Sequence, residues 1–206
     1  MNKMFELPLF ATPIKTYNIN ISDYKSYVHN VDMKRVENGW LSNNRNIITT
    51  DDNFVMLKNK LTIIIDDYAY NFCGIKNRDD GGFVFTTSWV VRHDPNDWAH
   101  QHYHKNSLFS GCVYFDVPEN SGDLVFHKDP THQNFMTSTV TLDIDTFNVF
   151  NSAGWTINVE EGLVILFPSQ IQHSVNTNMS NQQRYCLVFN VWYKGKIGSK
   201  EGEIVI

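Results

Sequence analysis

Long hydrophobic runs are missing from this sequence. The longest apolar stretch, residues 61–65, is interrupted by Thr62 and ends at two aspartates, whereas a helix needs roughly 20 apolar residues to span a bilayer. No apolar stretch of the kind found in signal peptides follows Met1. We therefore expect a cytoplasmic protein with no membrane segment.

Cysteine and positive charge are also scarce. Cys73, Cys112 and Cys186 lie far apart and form no CxxC pair, which predicts reduced thiols rather than a disulfide framework. Lysine and arginine total 17 against 22 aspartates and glutamates, a net charge of −5. This lack of excess positive charge argues against nucleic acid as a partner. With 206 residues, 42% of them hydrophobic, the chain can bury one sizeable core.

The residue pattern changes once along the chain, near residue 80. Before that point, helical spacing predicts a short helix over 24–31, capped by Ser22 and Asp23, and a longer one that starts after Thr50-Asp51-Asp52 and stops at Gly74. Beyond it, alternating and β-branched residues replace the helical pattern. The predicted strands are 83–91, 108–117, 123–127, 156–159, 163–167 and 185–192.

Many short strands at this spacing, preceded by helices, are typical of a jelly roll. We predict a mainly β protein: a double-stranded β-helix, or cupin-like jelly roll, with the N-terminal helices packed on one sheet. No linker divides the sequence, so we predict a single domain over 1–206, with mixed α/β support over 1–80 and the jelly-roll core over 82–195. An N-terminal strand and helices could pair across a two-fold axis, which would make a homodimer.

Histidines carry the strongest chemical signal. His100, His102 and His104 alternate, and alternate residues of an extended strand point the same way, roughly 6.5–7 Å apart. Two such imidazoles can converge on one metal if a third ligand arrives from a facing strand, and imidazole suits iron, zinc, copper and nickel. The alternative is a polar stripe on an exposed strand.

His173 is the third ligand in this interpretation. It follows a turn glycine, a buried strand and Pro168, and Arg184 opens the next strand eleven residues later. The predicted inner face of that strand carries Arg184, Cys186, Val188 and Asn190. A buried guanidinium needs an anionic partner, and it can bind a carboxylate through two parallel hydrogen bonds. A solvent-facing Arg184 is the alternative.

Four further histidines have two explanations each. His93 and His100 could line the mouth of such a site or lie on exposed loops. His127 and His132, with Asp129, could belong to a lid or to a plain loop.

The segment HYHKNSLFSGCVY, residues 102–114, resembles the HxHxxSxxSGVYY stretch of a family of 2-oxoglutarate/iron(II) oxygenases of bacteria and their viruses. Several other blocks agree in the same order. They are 9–13, Ser88-Trp89, 118–126, 162–169, His173, Asn178 and 184–190. The similarity therefore covers nearly the whole chain.

This resemblance implies roles for individual residues. His102 and His173 match the two histidine ligands of iron(II), and Arg184 matches the arginine that holds the distal carboxylate of 2-oxoglutarate. His104 stands where most members of the wider superfamily carry Asp or Glu; it would be the third ligand, or would leave that position to water or substrate. Further candidates for contact with 2-oxoglutarate are Asn106, Ser107, Tyr114 and Asn190.

The implied activity is that of an oxygenase. With Fe(II), 2-oxoglutarate and O2 it would hydroxylate an unidentified small-molecule or peptidyl substrate and release succinate and CO2. Two other functions fit the same residues: a cupin-like three-histidine metalloprotein that does not use 2-oxoglutarate, and a non-catalytic jelly-roll module. A requirement for Arg184 would distinguish the oxygenase from the cupin-like metalloprotein. Iron binding would distinguish both of these from the non-catalytic module.

Overall fold

Two antiparallel sheets face each other in the computed structural model, which describes residues 11–128 and 143–206. The larger sheet has the order β1-β9-β6-β11-β4-β3-β2, with β12 beside β11, and the smaller has the order β5-β10-β7-β8. The strands of the larger sheet are β1 (Lys15–Asn18), β2 (Met33–Val36), β3 (Gly39–Ser42), β4 (Gly81–His93), β6 (Phe109–Asp116), β9 (Leu163–Pro168), β11 (Arg184–Ile197) and β12 (Ile204–Val205). Those of the smaller sheet are β5 (Ala99–His102), β7 (Leu124–His127), β8 (Gly154–Ile157) and β10 (His173–Val175).

The chain crosses repeatedly between the two sheets from β4 to β11. Strands β4, β6, β9 and β11 lie in the larger sheet, whereas β5, β7, β8 and β10 lie in the smaller one. Four strands of one sheet therefore face four of the other, which is the arrangement of a double-stranded β-helix. The predicted fold class is confirmed.

The larger sheet has an apolar core on each face. On β11, Cys186 and Val188 point toward the smaller sheet, and Leu187 and Phe189 point away from it, as the two-residue period of a strand requires. The inner core contains Cys112, Tyr114, Leu124, Phe126, Leu163, Ile165, Phe167, Cys186 and Val188. The outer core includes Val113, Phe115, Val164, Leu166, Leu187 and Phe189, against which Leu57, Leu61 and Ile65 pack from a helix.

Three α-helices cover that outer face: α1 (Lys25–His29), α2 (Ile47–Thr50) and α3 (Val55–Asp66). A 3-10 turn, Asp52–Phe54, precedes α3 and a π-helical segment, Asp67–Phe72, follows it. Gly74, with φ of +69°, ends the helical region as predicted. None of the helices in the described segments is both long and apolar enough to cross a membrane.

Several sequence-based boundaries were wrong. Neither Ser22 nor Asp23 caps α1, because the residue preceding that helix is Tyr24, which makes no side-chain cap. The hairpin β2–β3 went unpredicted, since its short strands alternate weakly and are held by pairing with β4. β8 begins two residues before the predicted strand 156–159. Its residues are mostly exposed, so its position is set by pairing with β7 rather than by burial of its side chains. Residues 9–10 of the family similarity, Asp129 and His132 lie outside the described residues.

Candidate metal centre

Three imidazoles converge between the two sheets at the predicted positions. His102 ends β5, His173 begins β10, and the two residues are directly paired across these strands. His104 lies two residues beyond β5, where its backbone N–H donates to the carbonyl of Ser169 at 3.0 Å. One ligand nitrogen from each histidine lies within 4.8 Å of the other two. The histidines therefore do not form an exposed polar stripe, and one metal ion could bind all three.

Hydrogen bonds fix which nitrogen each histidine presents. Nδ1 of His102 donates to the His100 carbonyl at 2.7 Å, and Nδ1 of His173 donates to the Ile171 carbonyl at 2.9 Å. Nδ1 of His104 donates to the side-chain carbonyl of Asn190 at 2.7 Å. Because a carbonyl oxygen only accepts, Nδ1 carries the proton in all three rings. Each Nε2 consequently keeps the lone pair that a metal needs.

A chain of hydroxyl groups supports His104 through Asn190. The Asn190 oxygen also accepts from Ser110 at 2.7 Å, and its NH2 group donates to Thr87 at 2.9 Å. The hydroxyl oxygens of Ser110 and Ser169 lie 2.8 Å apart, and Ser169 donates to Ser107 at 2.8 Å. Two predicted cofactor contacts, Ser107 and Asn190, thus lie in the network that orients a candidate ligand. Their contact with 2-oxoglutarate stays a prediction.

The candidate ligands are neutral over the physiological pH range. Burial lowers the pKa of His173 to about 3 and that of His104 to about 4, and it lowers the pKa of His102 as well. Two aromatic rings contribute to this burial. The ring centres of Phe167 and His173 are 4.9 Å apart, and those of Trp89 and His104 are 5.6 Å apart. A neutral imidazole is the form that binds metals, so no proton has to leave first.

Arg184 lies buried at the start of β11, only 1% exposed. The predicted alternative, a solvent-facing Arg184, is therefore wrong. Its Nη1–H donates to Nδ1 of His93 at 3.1 Å, and the Tyr114 ring lies 5.0 Å from the guanidinium carbon. Its Nε and Nη2 have no hydrogen-bond partner within residues 11–128 and 143–206. These two N–H groups share one edge of the guanidinium, the edge that binds a carboxylate through two parallel hydrogen bonds.

His93 is a site residue whose role sequence reasoning missed. It was assigned either to the mouth of the site or to an exposed loop, yet it is 4% exposed and ends β4 directly opposite Arg184. Burial, and next the charge of Arg184, lower its pKa to about 4. A neutral His93 can accept the Arg184 hydrogen bond. Only the pairing of β4 with β11 reveals that His93 contacts Arg184. His100, by contrast, is exposed.

The remaining predicted contacts fall in different surroundings. Tyr114 is 1% exposed and packs beside Arg184 in the inner core. Asn106 is exposed in the turn between β5 and β6, where its φ of +55° suits an asparagine. Its side chain makes no hydrogen bond to any described residue. The structure therefore brings Tyr114 and Arg184 together and leaves Asn106 at the surface.

The buried His93 predicts a pH dependence of folding stability. Its pKa is about 4 when folded and near 6.5 when unfolded, so the unfolded chain binds its proton first as the pH falls. The contribution of His93 to stability is complete above about pH 6.5 and is lost as the pH falls toward 4. The Tm of wild type should fall more steeply from about pH 7 to 5 than that of His93→Gln, as followed by circular dichroism. A His100→Gln control should keep the wild-type slope; equal slopes for wild type and His93→Gln would contradict the prediction.

Comparison with known protein families gives one match. The family described as "Putative 2OG-Fe(II) oxygenase" matches residues 87–190, a segment that contains all three histidines and Arg184. No curated protein matches the chain significantly.

Solved structures of similar fold agree with this match. They include the epimerase SnoN from nogalamycin biosynthesis (12% identity, TM-score 0.62, covering 88% of this chain and 76% of that one). HygX from Streptomyces hygroscopicus, with nickel, 2-oxoglutarate and hygromycin B bound, is similar too (12% identity, TM-score 0.60, 87% and 82%). A Pseudomonas putida prolyl-4-hydroxylase also resembles the chain (11% identity, TM-score 0.51, 89% and 94%). At these identities the likeness concerns the fold.

Proposed function

The chain belongs to the 2OG-Fe(II) oxygenase family, and from that premise we propose that His102, His104 and His173 bind its iron(II) and that Arg184 binds its 2-oxoglutarate. The histidines supply three neutral nitrogens oriented toward one point. Three imidazoles replace the more common set of two histidines and one carboxylate. The bound ion therefore keeps its full charge of two, which favours an anionic co-substrate.

The open edge of Arg184 is the observation that carries this proposal. A buried donor without a partner costs about 1–3 kcal/mol, and a charged one costs more. A cupin-like protein without 2-oxoglutarate has no use for two such donors, and neither has a non-catalytic jelly roll. A carboxylate bound to Nε and Nη2 would satisfy both and neutralise the charge.

The residues of this chain would bind, orient and shield the reacting groups. Arg184 would hold the distal carboxylate of 2-oxoglutarate. Its Nη1 is hydrogen-bonded to His93, which leaves the edge formed by Nε and Nη2 for the carboxylate. Phe126 and Phe167 cover His173 and exclude water from its side of the site. When bound, iron(II) and 2-oxoglutarate would activate O2 for the oxidation of a substrate, with release of succinate and CO2.

We propose hydroxylation as the reaction and a small molecule or a peptidyl side chain as the substrate. A prolyl-4-hydroxylase and a protein with hygromycin B bound are among the solved structures of this fold. An epimerase is among them as well, so the fold alone does not choose the reaction. One oxygen atom from 18O2 in the product would identify hydroxylation, and an unlabelled, isomerised product would contradict it.

Anaerobic titration of the metal-free protein with Fe(II) and 2-oxoglutarate tests the proposed site. The keto acid gives a weak visible charge-transfer band when it chelates iron. We expect this band for wild type and for Arg78→Ala, whose arginine is paired with Asp80 at the surface. In Arg184→Ala it should require a much higher 2-oxoglutarate concentration. Iron binding without a band would favour the cupin-like function, and no iron binding would favour the non-catalytic module.

A further inference from the structure

Two of the five arginines have no carboxylate partner among the residues that the structure describes. The other three form ion pairs: Arg35–Asp97 at 2.6 Å, Arg78–Asp80 at 3.0 Å and Arg92–Asp94 at 2.9 Å. The two without a partner are Arg184, which is assigned above to 2-oxoglutarate, and Arg45. Arg45 is exposed, so its guanidinium is accessible to an anionic ligand from outside the protein.

Arg45 lies one aromatic ring away from the metal centre. Its guanidinium carbon is 4.2 Å from the centre of the Trp89 ring, and that ring is 5.6 Å from the ring of His104. The backbone carbonyl of Arg45 accepts from Ser88 at 2.8 Å, which fixes the loop between β3 and α2 against β4.

A second arginine–tryptophan stack in the same chain shows what Arg45 lacks. Arg92 lies 4.3 Å from the Trp40 ring, and both side chains also bind Asp94. In that stack the arginine has a carboxylate partner within the protein, Asp94. Stacking uses the face of a guanidinium and leaves the five N–H groups at its edge. In Arg45 those groups have no partner in the described segments, and the side chain is exposed.

We propose that Arg45 binds a carboxylate or phosphate group of the substrate, so that the enzyme acts on a molecule carrying negative charge close to the oxidised carbon. The inference rests on the proposed function, because it takes the three histidines as the metal site. Arg45 and His104 both contact the Trp89 ring, so the proposed anionic group would lie near the candidate metal centre. Arg184 already accounts for the charge of 2-oxoglutarate, so Arg45 serves a different molecule.

Nuclear magnetic resonance of the arginine Nε–H and tryptophan Nε1–H groups tests this proposal directly. The protein is loaded with 2-oxoglutarate and with Zn(II) as a diamagnetic ion in place of iron(II). Acetate and methyl phosphate are titrated separately, with chloride holding the ionic strength constant. Five arginines and five tryptophans give few signals, which the variants Arg45→Gln, Arg92→Gln, Arg184→Gln, Trp40→Phe and Trp89→Phe assign.

We expect saturable shifts of the Arg45 and Trp89 signals with a dissociation constant in the millimolar range, while the Arg92 and Trp40 signals stay fixed. In Arg45→Gln the Trp89 shift should need at least about tenfold more anion, since a hydrogen bond to a charged group contributes about 1.5–3 kcal/mol. Tighter binding of acetate would identify a carboxylate substrate, and tighter binding of methyl phosphate a phosphorylated one.

Three results would overturn the assignment. The first is no saturable shift at Arg45 with either anion, and the second is an equal shift at Arg92. The third is a Trp89 shift that persists unchanged in Arg45→Gln, which would place the anion on the metal. The proposed function is tested separately before that loading: adding 2-oxoglutarate to the Zn(II)-bound protein should shift the Arg184 signal. If it does not, the proposed function fails whatever Arg45 shows.

Discussion

Replacing His173 by alanine is expected to abolish iron binding at micromolar metal and, with it, 2-oxoglutarate turnover. His173 is 3% exposed and supplies one of three converging nitrogens. Loss of a partner that merely orients a ligand typically costs roughly 10–100-fold in metal affinity. Loss of the ligand itself should cost more than about 100-fold. Equilibrium dialysis against Fe(II) under anaerobic conditions measures the first effect, and succinate formation measures the second.

His100→Ala is the matched control for that experiment. His100 belongs to the same alternating row of histidines, but it is exposed and its side chain is absent from the converging triad. We expect wild-type iron affinity and turnover from this variant. Wild-type affinity in His173→Ala, or equal losses in both variants, would contradict the assignment of the metal centre.

Replacing Arg184 by methionine is expected to have opposite effects on co-substrate binding and on folding stability. Two charge-assisted hydrogen bonds to a carboxylate, at about 1.5–3 kcal/mol each, should disappear. The KM for 2-oxoglutarate should therefore rise by about 100-fold or more. The metal-free, ligand-free protein should be as stable as wild type or more stable by about 1–4 kcal/mol, because an apolar side chain replaces a buried cation that has no anionic partner among the described residues.

The two effects are measured on the same preparations. Succinate formation at varied 2-oxoglutarate gives KM, and urea unfolding gives the free energy of unfolding. Arg184→Lys keeps the charge but not the fork of two donors, so its KM should lie between those of wild type and Arg184→Met. Arg78→Met, at an ion pair with Asp80, controls for loss of an arginine as such. An unchanged KM in Arg184→Met would refute the clamp, and a large loss of stability would show that Arg184 supports the fold.

The residues that sequence reasoning located share a short-range signature. Alternation along the chain predicts His102 and His104 on one side, and the glycine–strand–proline order predicts His173 just beyond a buried strand; the structure places His173 on the strand paired with β5 rather than on a facing strand. Arg184 was predicted to face inward because it shares one strand face with Cys186, Val188 and Asn190. In each case a local period fixes the direction of a side chain.

The residues that were missed depend on contacts distant in sequence. His93 meets Arg184 only because β4 pairs with β11 in one register. Arg45 reaches the site only because its loop lies against Ser88 of β4. The hairpin β2–β3 likewise depends on its neighbour for its position. A period of two along a strand contains no information on which strand lies beside it, so such pairs cannot be predicted from local pattern.

The two apolar cores on opposite faces of the larger sheet have an evolutionary consequence. Among residues 11–128 and 143–206, the outer core, built against α3, contains 20 fully or nearly fully buried residues, whereas the inner core contains nine. Most of the burial that stabilises the fold therefore lies on the face away from the metal. Destabilising mutations that reshape the inner core for a new substrate would be tolerated because the outer core supplies most of the folding stability. A lineage with this architecture can diversify its chemistry while its scaffold persists.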